Sequence, residues 1–391
     1  MTHYYPTKKL GEVVYQSTRK NTQGALPYLG MEMIQSQTGL LEQTPETKEM
    51  KSTTFYFYKS CVLYGKLRPY LNKVFAPDFE GHCTTELVPL VPGENLLKEW
   101  LAYWLRSERV VRFANNTTTG SRMPRANMKE VMKLKIPVPP LETQRRIVEK
   151  IETLMSHLAE AKRLRTEARE ETSQLLPAAL HQVFSQAQEN GWEEFELKEV
   201  CDLSPSKNEI KDVSDDTEVS FIPMKSVDDN TQTITTSYSN ILGNVKKGYN
   251  YFQEGDILFA KITPCMENGK VAIAENLKNG LGFGTTEFHV VRPRNGVLSK
   301  WVFHYLRDPQ FRKWAEENMT GSAGQKRFSR ESLAQAKIPV PPIEEQHHLV
   351  IYLDTVAEHA RTLLEIQDQA QTDLTDLEQS ILHKAFEGEL T

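Results

Sequence analysis

At 391 residues, with 39% hydrophobic and 25% charged side chains, the chain is long enough for two or three domains with real cores and too mixed for disorder or fibre. No run reaches the roughly 18 apolar residues of a bilayer span, and the opening MTHYYPTKKLGEVV lacks a secretory apolar core, so a cytoplasmic protein is expected. The net charge of -5 excludes a uniformly basic nucleic-acid binder and leaves only local basic segments for such a role, the acidic runs 167–172 and 213–218 supplying the negative excess. Cys61, Cys83, Cys201 and Cys265 lie far apart without a CxxC pair and read as reduced, half-buried thiols.

Along the chain, TTFYFY (53–58) reads as a strand, and LLKEWLAYWLRS (96–107) as an amphipathic helix from the spacing of its large apolar residues. A polar loop containing TGS (119–121) follows. The IPVPP segment is then held extended by its prolines, and a long helix begins after it. The same order returns: the strand GDILFAKI (255–262), the helix VLSKWVFHYLRD (297–308), TGS (320–322), IPVPP and a second long helix.

This is duplication. KIPVPPLETQRRIV (135–148) and KIPVPPIEEQHHLV (337–350) agree at nine of fourteen positions, 202 residues apart, and LHQVF (180–184) meets LHKAF (382–386) at the same spacing. The TTE triplets at 84–86 and 285–287, and Trp100 and Trp301, are 201 apart. Lys66 and Pro69 meet Lys261 and Pro264 at 195, and YLGMEMI (28–34) meets FIPMKSV (221–227) at 193. An ordered series with a drifting offset is one fold carrying loop insertions.

In the long helices, alternating steps of four and three from Ile147 pass through Ile151, Leu154, Leu158, Ala161, Arg165, Ala168, Thr172, Leu175 and Ala179. From Leu349 they pass through Leu353, Val356, Ala360, Leu363, Gln367, Ala370, Leu374, Leu377 and Ile381. An average step of 3.5 predicts coiled-coil packing of the two helices. Pro177 is expected to kink or interrupt the first. Antiparallel packing would relate the halves by a pseudo-two-fold axis and parallel packing would place both on one side; the sequence permits either. About 40 helical residues span about 60 Å, enough to hold two readers one DNA turn apart or more.

Two patches in each half suit a polyanion. In the loops NNTTTGSRMPR and NMTGSAGQKRF, the triplets Thr119, Gly120, Ser121 and Thr320, Gly321, Ser322 allow close backbone approach. Arg122, Arg125, Gln325, Lys326 and Arg327 could reach phosphates or base edges, arginine favouring guanine and glutamine adenine. The second patch, GKLRPYLNK against AKITPCMENGK, offers Lys66, Arg68, Tyr70 and Lys73, and Lys261 and Lys270. Solvated turns and exposed strand lysines would look the same.

The ordered pattern of variable segment, K-I-P-V-P-P, L/I-E-x-Q and long helix, given twice, resembles the S subunit of type I restriction-modification enzymes over essentially the whole chain. The resemblance implies an α+β fold in which two homologous mixed α/β target recognition domains (1–134 and 188–336) are joined by two long antiparallel coiled-coil helices in the spacer segments 135–187 and 337–391. It further implies a non-catalytic subunit that reads a bipartite site on double-stranded DNA. Two methyltransferase (M) subunits would dock on 141–184 and 343–387, and restriction (R) subunits would be recruited. No cofactor is then expected on this chain: S-adenosylmethionine belongs to the M partner, ATP and Mg to the R partner.

Two other classes compete. A free-standing DNA N-methyltransferase needs a glycine-rich turn and a polar-Pro-Pro-aromatic loop; VPPL (138–141) and VPPI (340–343) carry only the prolines. No GxxxxGK[ST] loop or clustered His/Cys set marks an ATP or metal site, and His347, His348 and His383 read as surface residues. A coiled-coil scaffold that binds only proteins would keep the helices and leave the TGS loops idle.

Overall fold

The computed structural model describes residues 5–22, 24–120, 122–294, 296–322 and 324–390. The chain forms two compact units, the first Met1–Arg165 with Gln369–Thr391 and the second Thr166–Asp368. The boundaries drawn on the sequence part globular segments from helices. Each compact unit holds one globular segment together with a part of each long helix.

In the first unit, one four-stranded sheet runs in the order Val14–Gln16, Leu87–Pro92, Val62–Gly65, Val74–Phe75. A second runs Thr47–Lys48, Leu26–Leu29, Gly81–Thr84, Thr54–Phe57. In the second unit the orders are Cys201–Leu203, Phe288–Pro293, Ile257–Ala260, Val271–Ile273 and Tyr238–Ile241, Glu218–Ile222, Leu281–Gly284, Asn250–Gln253. Each second sheet contains a parallel pair, Tyr28 beside His82 and Phe221 beside Phe283, among antiparallel neighbours. Matching order and sense of pairing are what duplication predicts, and the mixed sheets with helices make the fold α+β.

The matched residues outside the sheets are clasps. Lys135–Pro137 and Lys337–Val340 are strands, paired antiparallel with Thr7–Lys9 and Glu193–Glu196. The buried Trp100 donates from Nε1 to the Pro137 carbonyl at 2.9 Å, and Trp301 does the same to Pro339 at 2.9 Å. The glutamine of L/I-E-x-Q is buried in both copies. Gln144 accepts from the Leu97 N–H and donates to the Asn95 and Pro139 carbonyls; Gln346 accepts from Leu298 N–H and donates to Gly296 and Pro341. One side chain thus satisfies three backbone groups where a helix, a turn and a proline-rich strand leave them without partners.

The short helices Lys98–Arg106 and Ser299–Tyr305 fall where their apolar spacing put them. Each is followed by another, Glu108–Asn116 and Pro309–Glu317, in segments read from sequence as loop. The second start was legible: Asp308 accepts from the Phe311 N–H at 3.1 Å and Pro309 opens the helix, a capping aspartate followed by proline.

The long helices are Leu141–Ser185 and Ile343–Glu387. In the first unit Ile147, Ile151 and Leu158 share a core with Ile381, Leu382 and Phe386, and the Phe386 ring meets Trp100 edge-on. In the second unit Leu353 shares a core with Ala179, Leu180 and Val183. There Arg169 pairs with Asp368 at 2.8 Å and Gln367 donates to Thr172 at 3.0 Å, so one helix advances as the other retreats and the packing is antiparallel. The 3.5-residue stripe holds at its ends, where Ala179 and Ile381 are buried, but not at every position between. Leu175, Leu363 and Leu377 are exposed, whereas Leu176 is partly buried and Glu378 buried. An α-helix drifts by about 20° per heptad against a 3.5 repeat, so positions neighbouring the stripe share the buried face with it. Pro177 does not interrupt its helix, which continues to Ser185. The residue whose carbonyl it leaves without a donor, Ser173, is exposed, and Ala179, Leu180 and Val183 anchor the following turns in the core.

Cys61, Cys83 and Cys201 are buried, Cys265 is intermediate, and all four are free. Burial pushes the Cys61 and Cys265 thiols up and Cys201 up to about 12. His347, His348 and His383 are exposed. Among the described residues no helix is long and apolar enough to cross a membrane.

Candidate nucleic-acid interface

In each unit the TGS loop is the tip of a hairpin. Thr119 and Arg125 exchange backbone hydrogen bonds of 2.9 and 3.0 Å, and Met319–Thr320 pairs with Arg327–Phe328. The glycine of each triplet lies in the left-handed region, Gly120 at φ 87° and Gly321 at φ 127°, where a side chain would be strained. Ser121 lies outside the described residues. Thr119, Thr320 and Ser322 are exposed.

The second sequence patch is the neighbouring strand edge of the same structure. The N–H of Arg68 donates to Pro124 at 2.7 Å and that of Ala126 to Lys66 at 2.8 Å. In the other unit Thr263 donates to Lys326 at 3.1 Å and Phe328 to Lys261 at 2.8 Å. Patches separated by some fifty residues in sequence therefore form one surface in each unit.

Within that surface the candidate cations sort into two kinds. Arg125 forms a bidentate pair with Glu86, from Nε at 3.1 Å and from the terminal nitrogen at 2.8 Å; Arg327 pairs with Glu287 at 3.0 and 2.9 Å. These guanidiniums hold the Glu86 and Glu287 carboxyls below the usual carboxylate range, and the carboxylates raise both arginines in return. Because Lys66 and Lys261 donate their own N–H groups to the Glu86 and Glu287 carbonyls, each glutamate ties strand edge and hairpin together. Lys73 and Lys270 are also engaged, their Nζ atoms donating to the carbonyls of Met31 at 2.8 Å and Val227 at 2.7 Å.

Arg68 and Arg122 in the first unit, and Gln325 and Lys326 in the second, are exposed, and their side chains make no hydrogen bond among the described residues. Tyr70, two residues on from Arg68, is 50% exposed. Arg68 itself has φ 50°, in a turn held by Gln37 Nε2 donating to the Tyr70 carbonyl at 3.1 Å and by Asn72 donating to Gln37 and to the Arg106 carbonyl. Non-glycine residues in this region cost on the order of 1 kcal/mol or more and are kept where the surroundings fix them.

Sequence reasoning flagged the TTE triplets as repeats but missed that their glutamates hold the hairpins. The signal was present as a paired recurrence, Glu86 and Glu287 at 201 with Arg125 and Arg327 at 202.

The profile of the family described as "Type I restriction modification DNA specificity domain" matches residues 7–168 and 189–371. The EcoAI and EcoEI type I restriction enzyme specificity subunits of Escherichia coli are 43% and 42% identical to the chain over 164 and 161 residues. Each match covers 41% of this chain and 27% of the relative, so little more than a quarter of their length is spanned. Among solved structures, a chain from "Structural basis underlying complex assembly and conformational transition of the type I R-M system" has a TM-score of 0.81 at 26% identity, covering 100% of this chain and 99% of the other. The HsdS subunit of Thermoanaerobacter tengcongensis has a TM-score of 0.65 at 25% identity, covering 98% and 97%. The chain belongs to the family of type I restriction-modification DNA specificity domains, of which it carries two in tandem.

Proposed function

We propose that the chain is the DNA sequence-recognition subunit of a type I restriction-modification system, reading a bipartite site with its two hairpin surfaces and performing no chemistry itself. The observation that carries this reading is the hairpin held twice by the same Arg–Glu pair while the free side chains at its tip differ, arginines in one unit and glutamine with lysine in the other. Equal scaffolds with unequal tips suit two half-sites of different sequence. Methyltransferase subunits dock on the long helices, where Leu164, Ile351, Tyr352 and Ile366 are large apolar residues left in solvent, Ile351 at 64%. S-adenosylmethionine is then held by those subunits, and ATP and Mg by the restriction subunits.

The test is to map methylated sites in cells carrying this chain with its methyltransferase. A split site is expected, in which Arg122→Ala relaxes one half and Gln325→Ala or Lys326→Ala the other. A single uninterrupted site, or one unaltered by all three substitutions, overturns the reading. A scaffold that binds only protein is separated by gel shift of the assembled complex on duplex DNA at low salt, where it would retain no DNA.

A further inference from the structure

Behind the short helix of the first unit, Arg106 reaches a carboxylate. Its guanidinium lies 3.4 Å from Glu378, which also accepts from Lys162 at 2.8 Å. Gly39, at φ 72°, lies against Arg106, where an added Cβ would come within 3.1 Å of it.

The second unit keeps the arginine and loses its partners. Arg307 matches Arg106 at the 201 spacing, but at the 202 spacing of the helices Leu176 replaces Glu378 and Leu364 replaces Lys162. In the loop matching that of Gly39, bridged Val227–Ile234 as the other is bridged Ile34–Leu41, Gln232 takes the glycine's place. Where the carboxylate would lie there is a cavity of about 290 Å³ lined by Leu176, Pro177, Arg307, Arg312, Lys313 and Glu316. Gln232 and Glu267 complete its wall.

The groups facing this cavity are short of partners. In its walls, the Nε atoms of Arg307 and Arg312 and the Oε1 of Gln232 are buried and have no hydrogen-bond partner among the described residues. Arg312 spends one terminal nitrogen on the Glu267 carbonyl, and Arg307 has a 3.5 Å contact with His304 Nδ1 and the Phe303 ring below it. Among the described residues neither guanidinium is in an ion pair. Among the lining residues three cations, Arg307, Arg312 and Lys313, stand against two carboxylates, Glu267 and Glu316. Burial pushes Arg307 down to about 10 against the opposing pull of Asp354, and lowers Arg312 against that of Glu316, so desolvation outweighs the carboxylates near each guanidinium.

We propose that this cavity is an oxyanion site, taking a small carboxylate or a phosphate at the place that Glu378 fills from within the chain in the other unit. The bidentate fork of arginine suits either anion. The site is independent of DNA reading and is tested without DNA.

The full chain is melted in inorganic phosphate, in acetate and in chloride at one ionic strength. Phosphate, acetate or both are expected to raise Tm saturably above chloride, by about 5 °C at a hundred times the dissociation constant. A response to phosphate alone assigns a phosphate ligand, one to acetate alone a carboxylate. Leu176→Glu supplies the missing carboxylate, so it is expected to raise Tm in chloride and to abolish the anion response. Phosphate and acetate both matching chloride, or Leu176→Glu responding like the parent chain, overturns the proposal.

Discussion

The first unit closes the space behind its short helix with Arg106, Glu378 and Lys162, whereas the second leaves Arg307 facing a cavity beside Leu176. In front of the same helices, the tryptophan and glutamine clasps and the Arg–Glu pairs of the hairpins are alike in both. Duplication has preserved the contacts that hold strands and hairpins, ion pairs among them, and has not kept the buried charge network behind the short helix. A residue repeated at its matched position is thus most often one that holds a strand or loop, and difference marks where the two copies have separate tasks.

The largest expected effect breaks the charge network. Glu378→Ala takes the carboxylate away from the buried Arg106 guanidinium and should cost about 3–5 kcal/mol in denaturant unfolding. Arg307→Met, measured in chloride, removes a cation with no ion pair among the described residues and should cost less than about 1 kcal/mol. Equal losses from the two would erase the contrast between the units.

The second effect is a pH dependence carried by two buried histidines of the second unit. His289 is buried with Nε2 2.8 Å from the Phe328 carbonyl, and burial pushes it down to about 4; the matched residue 201 earlier is Val88. His304 is also lowered by burial, while its hydrogen bond to Asp354 at 2.8 Å takes that carboxyl down to about 2; its counterpart is Tyr103. A histidine whose folded pKa is depressed is protonated first in the unfolded chain. Its stabilisation is complete above about pH 6.5 and is lost as pH falls towards 4, for His289 by at most about 3 kcal/mol. His289→Val, the residue of the other copy, should flatten unfolding free energy over that window. An unchanged slope would show that the histidine does not titrate there.

Smaller again is the effect on DNA affinity. Glu287→Gln keeps the size of the side chain but releases the Arg327 fork, and Glu86→Gln does so for Arg125. Each should weaken duplex binding by the assembled complex by roughly tenfold, the scale of one lost specific contact. Binding equal to the parent would mean that the hairpin keeps its shape without its glutamate. The smallest effect is Asp368→Ala: its pair with Arg169 is exposed, and no measurable change in Tm is expected.

The sequence disclosed the duplication, both short helices, the extended proline-rich segments and both long helices, because each rests on a local pattern of apolar spacing or proline. What it withheld was set at a distance. The Arg125–Glu86 and Arg327–Glu287 pairs span 39 and 40 residues, so Arg125 and Arg327 looked like free cations, as did Lys73 and Lys270, whose carbonyl partners lie 42 and 43 residues away. The burial of Glu378 and partial burial of Leu176, each next to an exposed stripe leucine, reflects 3.6 against 3.5 residues per turn, which a fixed heptad cannot register. The second short helices were hidden by the polar loops they precede, although the Asp308–Pro309 start was there to be read.

The glutamine clasp has a consequence for what counts as a mild mutation. Gln144 and Gln346 each meet two carbonyls with their amide nitrogen and one N–H with their oxygen. A glutamate there has nearly the same outline but, ionised, no hydrogen to give. It would set an anion against two carbonyl oxygens, so the change that alters side-chain volume least is among the hardest for this position to accept. Resemblance by size and resemblance by hydrogen bonding part company at a single atom.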